Sequence, residues 1–425
     1  MDNLIEGVDM TTVENLFTAA LGLHQPWHVD EVKFSLDEGE IHFNVACGEK
    51  RLPCPVCGSG NQPVHDRLDR TWQHLHFFQY RAFIHAKVPR IACTCGKTTQ
   101  MEVPWARAGS GFTLLMEALA VMLCKTMAVA QVARLLSVNE QRLWRMITSL
   151  VQSARDRESY TEVKHIGVDE KHVGRLGFVT LFHDADERRV IFDMKGRDAK
   201  VFEAFVKDIQ AHEGDPSQIE VVSMDLSRAY QAGATKHLPQ AVQCFDRFHL
   251  VKLVNEAVDQ VRRAEVKTEP SLKGLRWGLL KDPGKWNQAQ GADMYDLNRN
   301  RLKTGRVWRM KEAFRDIVEF SNHTPERARY LITHWISWAR RSRLEPFKRL
   351  GATFKKHLEG IVSGFTCGVT NATAESINAT VQGAIVRAHG FRTYRNLMAI
   401  VYLTVGKLTH LPAPPFQHRQ TVQFS

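Results

Sequence analysis

Three acids separated by long stretches of chain carry the most chemistry in this sequence. Asp169 closes the apolar run His165-Ile166-Gly167-Val168, and Asp225 closes Val221-Val222-Ser223-Met224. Both runs read as short buried strands that end on a carboxylate. The third acid, Glu375, lies in the helical stretch Asn371-Ala372-Thr373-Ala374-Glu375-Ser376-Ile377-Asn378. Carboxylates on two neighbouring strand ends and one helix can hold a pair of divalent cations. Such a pair activates a water or a 3′-hydroxyl and stabilises the leaving oxygen of a phosphodiester. Glu170 adjoins Asp169, but alternation along a strand turns it to the opposite side, so it is not counted with them.

Four cysteines form a second constellation: Cys54-Pro55-Val56-Cys57-Gly58 and Cys93-Thr94-Cys95-Gly96. Two close pairs, each followed by glycine, make tight turns whose backbone N–H groups face the sulfurs. Four thiolates suit tetrahedral zinc. Only one residue separates the second pair, so buried free thiols are the alternative. Cys47, Cys124, Cys244 and Cys367 are scattered and read as small core residues.

A third group lies on a predicted helix-turn-helix over Val129 to Leu150. With Ala133 as the small residue of the first helix, Val132, Leu136, Val138, Leu143 and Met146 occupy its apolar positions. The turn is Ser137-Val138-Asn139, where many such motifs place glycine at the position of Ser137. The second helix would expose Asn139, Gln141, Arg142 and Arg145, side chains able to contact bases and phosphates in a major groove. An ordinary helical hairpin is the alternative.

The elements that must position these groups follow in order. Residues 1–104 read as a β-rich zinc-ribbon domain, with a hairpin around Asp37-Glu38-Gly39-Glu40 and an alternating run from Tyr80 to Ile91. Residues 105–155 are the helix-turn-helix domain. Residues 156–265 begin with strands at His165–Asp169, Phe178–His183 and Arg189–Met194. A helix over Ala199–His212, a strand at Ile219–Asp225, a helix over Arg228–His237, a strand at Ala241–Asp246 and a helix from Arg247 follow. Three strands and then alternating helices and strands is the order of an RNase H-like mixed sheet. In that fold the first and fourth strands are neighbours, which brings Asp169 towards Asp225. Residues 266–360 form a basic α-helical insertion, where Trp277, Trp286, Trp308, Trp335 and Trp338 read as core anchors rather than base-stacking platforms. Its cluster Arg340, Arg341, Arg343, Lys348, Arg349, Lys355 and Lys356 is a candidate phosphate track. Residues 361–410 return to the core through a helix whose polar face carries Asn371, Glu375, Asn378 and Gln382, with Ile377, Val381, Ala384 and Ile385 opposite. Residues 411–425 read as a tail. The fold class is therefore multidomain α/β.

Charge supports a polyanionic partner. The chain has 425 residues, a formal net charge of +11 and a pI of about 9.3. Residues 156–261 hold 14 Lys+Arg against 19 Asp+Glu, whereas 262–360 hold 23 against 11. The basic excess thus lies beside the acids rather than among them, as expected for a protein that binds nucleic acid. The most apolar stretch, Leu114 to Leu136, is broken by Glu117, Lys125, Gln131 and Arg134, so no membrane span is expected. The acidic start, Met1 to Glu6, has no signal-peptide shape. A cytoplasmic, nucleoid-associated location is expected.

Taken in order, these motifs resemble a DDE transposase of a bacterial insertion sequence, of the ISL3 family. The resemblance rests on the cysteine ribbon, the helix-turn-helix, Gly167-Val168-Asp169-Glu170, and Ser223-Met224-Asp225-Leu226-Ser227 followed by Tyr230. It also rests on Phe245-Asp246-Arg247-Phe248-His249 and on Asn371 to Asn378. It implies that Asp169, Asp225 and Glu375 form the catalytic triad and bind two magnesium ions, with manganese as substitute. Water would cut the transposon end, and the exposed 3′-hydroxyl would attack target DNA. Asp246 and His249 resemble the Asp-x-x-His signature of several DDE families, so His249 is a candidate for orienting a phosphate or the leaving group. The alternative is a structural histidine. The implied partners are double-stranded DNA, both transposon ends and target, and further copies of the chain as a homodimer or higher oligomer. Two other readings compete: a zinc-ribbon and helix-turn-helix regulator with an inert α/β domain, and an RNase H-like nuclease or resolvase that cuts without strand transfer.

Overall fold

The computed structural model describes residues 12–96, 98–299, 302–319, 324–367 and 372–415. The chain divides into two compact units. One comprises residues up to 155 with 387–389 and those from 408 onward; the other comprises 156–386 and 390–407.

The first unit opens with helix α1 (Val13–Ala20), capped by the Thr12 side chain. Six strands follow: β1 (Trp27–Ser35), β2 (Glu40–Cys47), β3 (Arg51–Leu52), β4 (Gln62–Phe77), β5 (Tyr80–Ala92) and β6 (Thr98–Gln100). They lie in the order β1-β2-β5-β4-β3, with β6 also on β5. The β1–β2 hairpin and the β5 strand agree with the alternation in the sequence. The long strand β4 does not, because its outward residues from Pro63 to Asp69 give a polar run. Alternate residues bury one face around Trp27, Phe43, Trp72 and Ile84. Helices α2 (Leu114–Cys124), α3 (Val129–Leu135) and α4 (Glu140–Arg155) complete the unit.

In the second unit five strands form a sheet: β7 (His165–His172), β8 (Phe178–Asp184), β9 (Arg189–Lys195), β10 (Val221–Met224) and β11 (Val242–Phe245). Their order is β11-β10-β7-β8-β9. Strands β7, β8 and β9 are antiparallel, while β10 and β11 run parallel to β7. This is the expected RNase H-like order. Helices α5 (Lys200–Ala211) and α6 (Arg228–His237) bury Val201, Phe202, Phe205 and Tyr230 against one face. One correction concerns β7. It does not end at Asp169 but continues to His172, because Asp169 to His172 keep pairing with Leu181 to Phe178.

The basic segment is helical throughout its described part: α7 (Arg247–Glu265), α8 (Arg276–Leu280), α9 (Gln288–Arg299), α10 (Lys303–Glu319), α11 (Pro325–Arg341), α12 (Glu345–Lys356) and α13 (Leu358–Thr366). It is not a separate body: Phe314, Trp335, Phe347 and Phe354 belong to the same continuous core as Val168 and Met224. Trp335 is the anchor that the sequence suggests, whereas Trp277 and Trp338 are exposed. Helix α13 returns the chain to the sheet edge. A Cβ on Gly364 would lie 2.3 Å from the Phe245 carbonyl oxygen, so only glycine permits that approach to β11. Helices α14 (Ala372–Arg387) and α15 (Tyr394–Val405) follow, and α15 packs on β9, where the Tyr394 hydroxyl donates to Asp193. Asn371 lies outside the described residues.

Candidate functional site

Strand pairing brings the two aspartates together. His165, Ile166 and Gly167 of β7 stand opposite Val221, Val222 and Ser223 of β10. Pairing stops there, and Asp225 follows β10 just past its end at Met224, near enough for the Asp169 charge to act on it. Asp225 accepts a hydrogen bond from the Ser227 N–H at 2.9 Å, where α6 begins. Burial holds its carboxyl above the usual carboxylate range. The charges of Asp169 and Asp246 add to that push, and the Ser227 N–H and His249 oppose it. A carboxylate forced to carry charge in a poorly hydrated place is a ready ligand for a cation.

Helix α14 reaches this pair through an amide. Asn378 Nδ2 donates to Asp169 Oδ2, and Lys171 Nζ donates to the Asn378 carbonyl at 3.1 Å. Glu375, three residues earlier on the same helix, is exposed. Among the described residues, Asp169, Asp225 and Glu375 do not form a group whose ligand oxygens all lie within 4.8 Å of one another. The structure thus brings Asp169 and Asp225 near one another and leaves Glu375 exposed on the adjoining turn of a docked helix.

His249 sits in the first turn of α7. Asp246 caps that helix through the Phe248 N–H at 2.7 Å, and its other oxygen is 2.8 Å from His249 Nδ1. That bond raises the imidazole above its ordinary value, with burial opposing it and the charges of Asp246, Asp169 and Asp225 assisting. With Nδ1 held by Asp246, Nε2 is the nitrogen left for chemistry.

Two further residues belong to this neighbourhood. Glu170 pairs with Thr180, so it alternates away from Asp169. Its carboxyl is nevertheless pushed up, by burial first and then by the charge of Asp225. His183 was missed in the sequence. Its ring lies directly over Gly167, where a Cβ would stand 2.1 Å from Cε1 and 2.2 Å from Nε2. Burial lowers its pKa to about 4, against the charge of Asp169, so the ring is neutral. The available signal was Gly167 itself, since a glycine inside a strand marks a close approach.

In the first unit Cys54, Cys57, Cys93 and Cys95 place their sulfurs within 4.8 Å of one another. Gly58 and Gly96 close the two turns, donating to the Cys54 and Cys93 carbonyls at 2.9 and 3.0 Å. The Val56 and Cys95 N–H groups point at the Cys54 and Cys93 sulfurs at 3.5 and 3.4 Å. Cys93 is drawn down to about 6, chiefly by the Cys95 N–H. A compact set of four sulfurs, two of them faced by backbone N–H groups, fits tetrahedral zinc.

The helix-turn-helix forms as expected, with Val132, Leu136, Leu143 and Met146 buried. Ser137 has φ +52°, the left-handed conformation that favours glycine. Gln141 and Arg145 are exposed. The Asn139 oxygen is committed to capping α4, accepting from the Gln141 and Arg142 N–H groups at 2.9 and 3.1 Å. Arg142 differs from its expected exposure. It is half-buried, stacked 4.3 Å from the Phe112 centroid, and donates to the Gly111 carbonyl. On α11, α12 and the link between them, Arg340, Arg341, Arg343, Lys348, Arg349, Lys355 and Lys356 are all exposed. Among the described residues only Lys348 of these seven has an acidic partner, Glu345 at 3.4 Å.

A family model described as the ISL3 transposase DDE domain matches residues 166–401, more than half of the chain. This chain belongs to the ISL3 family of transposases. Two further models match within the first unit: the helix-turn-helix domain of transposase family ISL3 over residues 101–151, and the zinc finger of the IS204/IS1001/IS1096/IS1165 transposases over 50–95. The transposase for insertion sequence element IS1557 from Mycobacterium tuberculosis is 26% identical over 447 residues, covering 95% of this chain and 97% of that protein. The transposase for IS1001 from Bordetella parapertussis is 23% identical over 385 residues, covering 88% and 94%. The stretch matched as the transposase domain holds Asp169, Asp225, His249 and Glu375 together with helices α8–α13. No helix among the described residues is long and apolar enough to cross a membrane.

Proposed function

We propose that this transposase binds the terminal inverted repeats of its insertion sequence, cuts the transposon ends and joins them to target DNA. The observation that carries the reading is the parallel pairing of β7 with β10, the two strands that lead to Asp169 and Asp225. Asp169, Asp225 and Glu375 are the residues assigned to hold two divalent cations, magnesium or manganese. Their all-oxygen donor set and the strained charge on Asp225 fit such ions. When bound, the ions supply acidity to a water or 3′-hydroxyl and stabilise the departing oxygen. The chain's own residues do the rest. Asp246 fixes the His249 ring through Nδ1 and keeps it cationic at higher pH, so Nε2 is offered to a phosphate oxygen or the leaving group. Asn378 and Lys171 hold α14 against β7, which fixes the part of the helix that bears Glu375.

Contact with DNA is assigned to Gln141 and Arg145 on α4, with Asn139 and Arg142 setting the helix start and its seating. The cysteine ribbon holds structural zinc. The exposed cations of α11, α12 and their link, six of seven without an acidic partner among the described residues, are assigned to the DNA backbone. Two ends must be paired, so the acting species is a dimer or larger assembly on DNA, and in the cell the chain is expected at the nucleoid.

The test is a strand-cleavage and strand-transfer assay on duplexes bearing the element's ends, with magnesium or manganese. Asp169→Asn, Asp225→Asn and Glu375→Gln are expected to abolish both steps while retaining end binding. Cleavage surviving in Asp169→Asn would sink the proposal. Supplying pre-cut ends separates a transposase from a nuclease, because only the former joins them to a second duplex.

A further inference from the structure

Beside the recognition helix lies a cavity of about 490 Å³, enclosed by α4 and the loop Arg107-Ala108-Gly109-Ser110-Gly111-Phe112. We infer that this cavity is a clamp for one backbone phosphate of the DNA that α4 reads. The inference rests on the end-binding role proposed above and specifies the phosphate contact that α4 and the loop beside it make together.

The loop is held rigid from within. Arg107 makes a two-pronged pair with Glu117, Nε to Oε2 at 2.7 Å and Nη2 to Oε1 at 2.9 Å, and the Ser110 hydroxyl donates to the same carboxylate at 2.7 Å. Glu117 is fully buried, so its charge is spent inside the loop. The Gly111 carbonyl is fixed on both sides, by the Gln73 N–H at 3.0 Å and by the Arg142 guanidinium. A Cβ on Gly111 would lie 2.3 Å from Arg142 Nη2, so glycine is what lets the guanidinium seat there. Phe112 supports the guanidinium plane from below.

What remains is an uncompensated pair of cations. Three arginines and one glutamate line the cavity, an excess of two positive charges. Burial first, and then the neighbouring charge of Arg145, draw Arg142 below its ordinary value. Arg145 is exposed, one turn further along α4, and Ser149 is exposed one turn beyond that. A seated guanidinium, Arg142, and an exposed one, Arg145, a turn apart on α4 beside a rigid loop, form an arrangement that recognises phosphate oxygens. The cavity is roomier than a free phosphate ion needs and suits a phosphate with its flanking sugars. Its place on the recognition helix is where a helix-turn-helix meets the strand bordering the groove, and such contacts fix register rather than sequence.

The test uses the full-length zinc-bound chain and two exposed positions, Arg145→Ala and Ser149→Asp. Binding is measured by fluorescence anisotropy against a transposon-end duplex and a scrambled duplex over a range of salt. Each variant is expected to weaken both duplexes by the same factor, about tenfold or more for Ser149→Asp. Arg145→Ala should also reduce the salt slope by about 0.9, the value of one phosphate contact. Neutral methylphosphonates introduced singly along the end should reveal one position whose penalty in the wild type vanishes in Arg145→Ala. A loss confined to the end duplex, or a methylphosphonate penalty unchanged in Arg145→Ala, overturns the clamp. So does saturable binding of inorganic phosphate alone with DNA affinity unaffected in Ser149→Asp. Failure of the end-binding role looks different: the wild type would not prefer its end to the scrambled duplex, although the salt slope would still report the clamp.

Discussion

Gly167→Ala is the substitution that most directly interrogates the site. The added methyl would stand 2.1 Å from Cε1 and 2.2 Å from Nε2 of His183. Carbon atoms settle at about 3.5–4.0 Å, so roughly 1.5 Å of space must open. The ring cannot swing clear cheaply, because His183 is 5% exposed and β8 is paired on both sides. Overpacking of this kind costs about 1–3 kcal/mol. Asp169 is two residues along on the same face, and a displacement of about 1 Å at a reacting centre can cost on the order of 100-fold in rate. Gly167→Ala is therefore expected to lose local stability and most cleavage while binding DNA normally. His183→Ala removes the obstructing ring, so the double variant should recover, with a coupling energy of about 1–2 kcal/mol. Hydrogen exchange of β7 and β8 peptides in the full chain reads the stability, and end cleavage reads the function. Additive losses, or a Gly167→Ala chain with wild-type exchange and cleavage, would refute the steric argument.

Three other outcomes are expected. Metal analysis should find one zinc per chain bound by four thiolates, and Cys57→Ser should abolish it and lower the melting temperature of the β-sheet unit. Ser137→Gly should stabilise the helix-turn-helix by about 1 kcal/mol, because Ser137 occupies the left-handed region at φ +52°; an unchanged melting profile would contradict this. Asp246→Asn should drop the His249 pKa towards or below its ordinary 6.5, read by NMR titration, because the Asp246 bond is the main cause of the rise. A folded-state pKa above the unfolded value adds stability fully present below pH 6.5 and lost as pH rises through the folded value. The variant should therefore lose stability on the acid side and not at high pH.

The sheet of the second unit was legible because its strands announce themselves. Val221 to Met224 and His165 to Val168 are apolar on both faces, as strands covered on both sides must be. The cysteine ribbon was legible because metal ligands need fixed spacing and glycine turns. Strand β4 was hidden by its polar outer residues, and the ends of β7 were hidden because charge at Asp169 to Lys171 mimics a strand terminus. The seating of Arg142 could not be seen, since it depends on a loop 31 residues away. His183 was invisible for the same reason: only β7–β8 pairing places it over Gly167.

The two halves of the acid constellation differ in what fixes them. The strands that lead to Asp169 and Asp225 are joined by hydrogen bonds, which admit only discrete registers. Glu375 depends on a helix, and α14 is tied to β7 by side-chain contacts from Asn378 and Lys171. The Asn378 amide occupies Asp169 Oδ2, an oxygen that a cation would also claim. Asn378 and Glu375 lie three residues apart on the same polar face of α14, so whatever fixes the seat of Asn378 also fixes where Glu375 stands relative to β7.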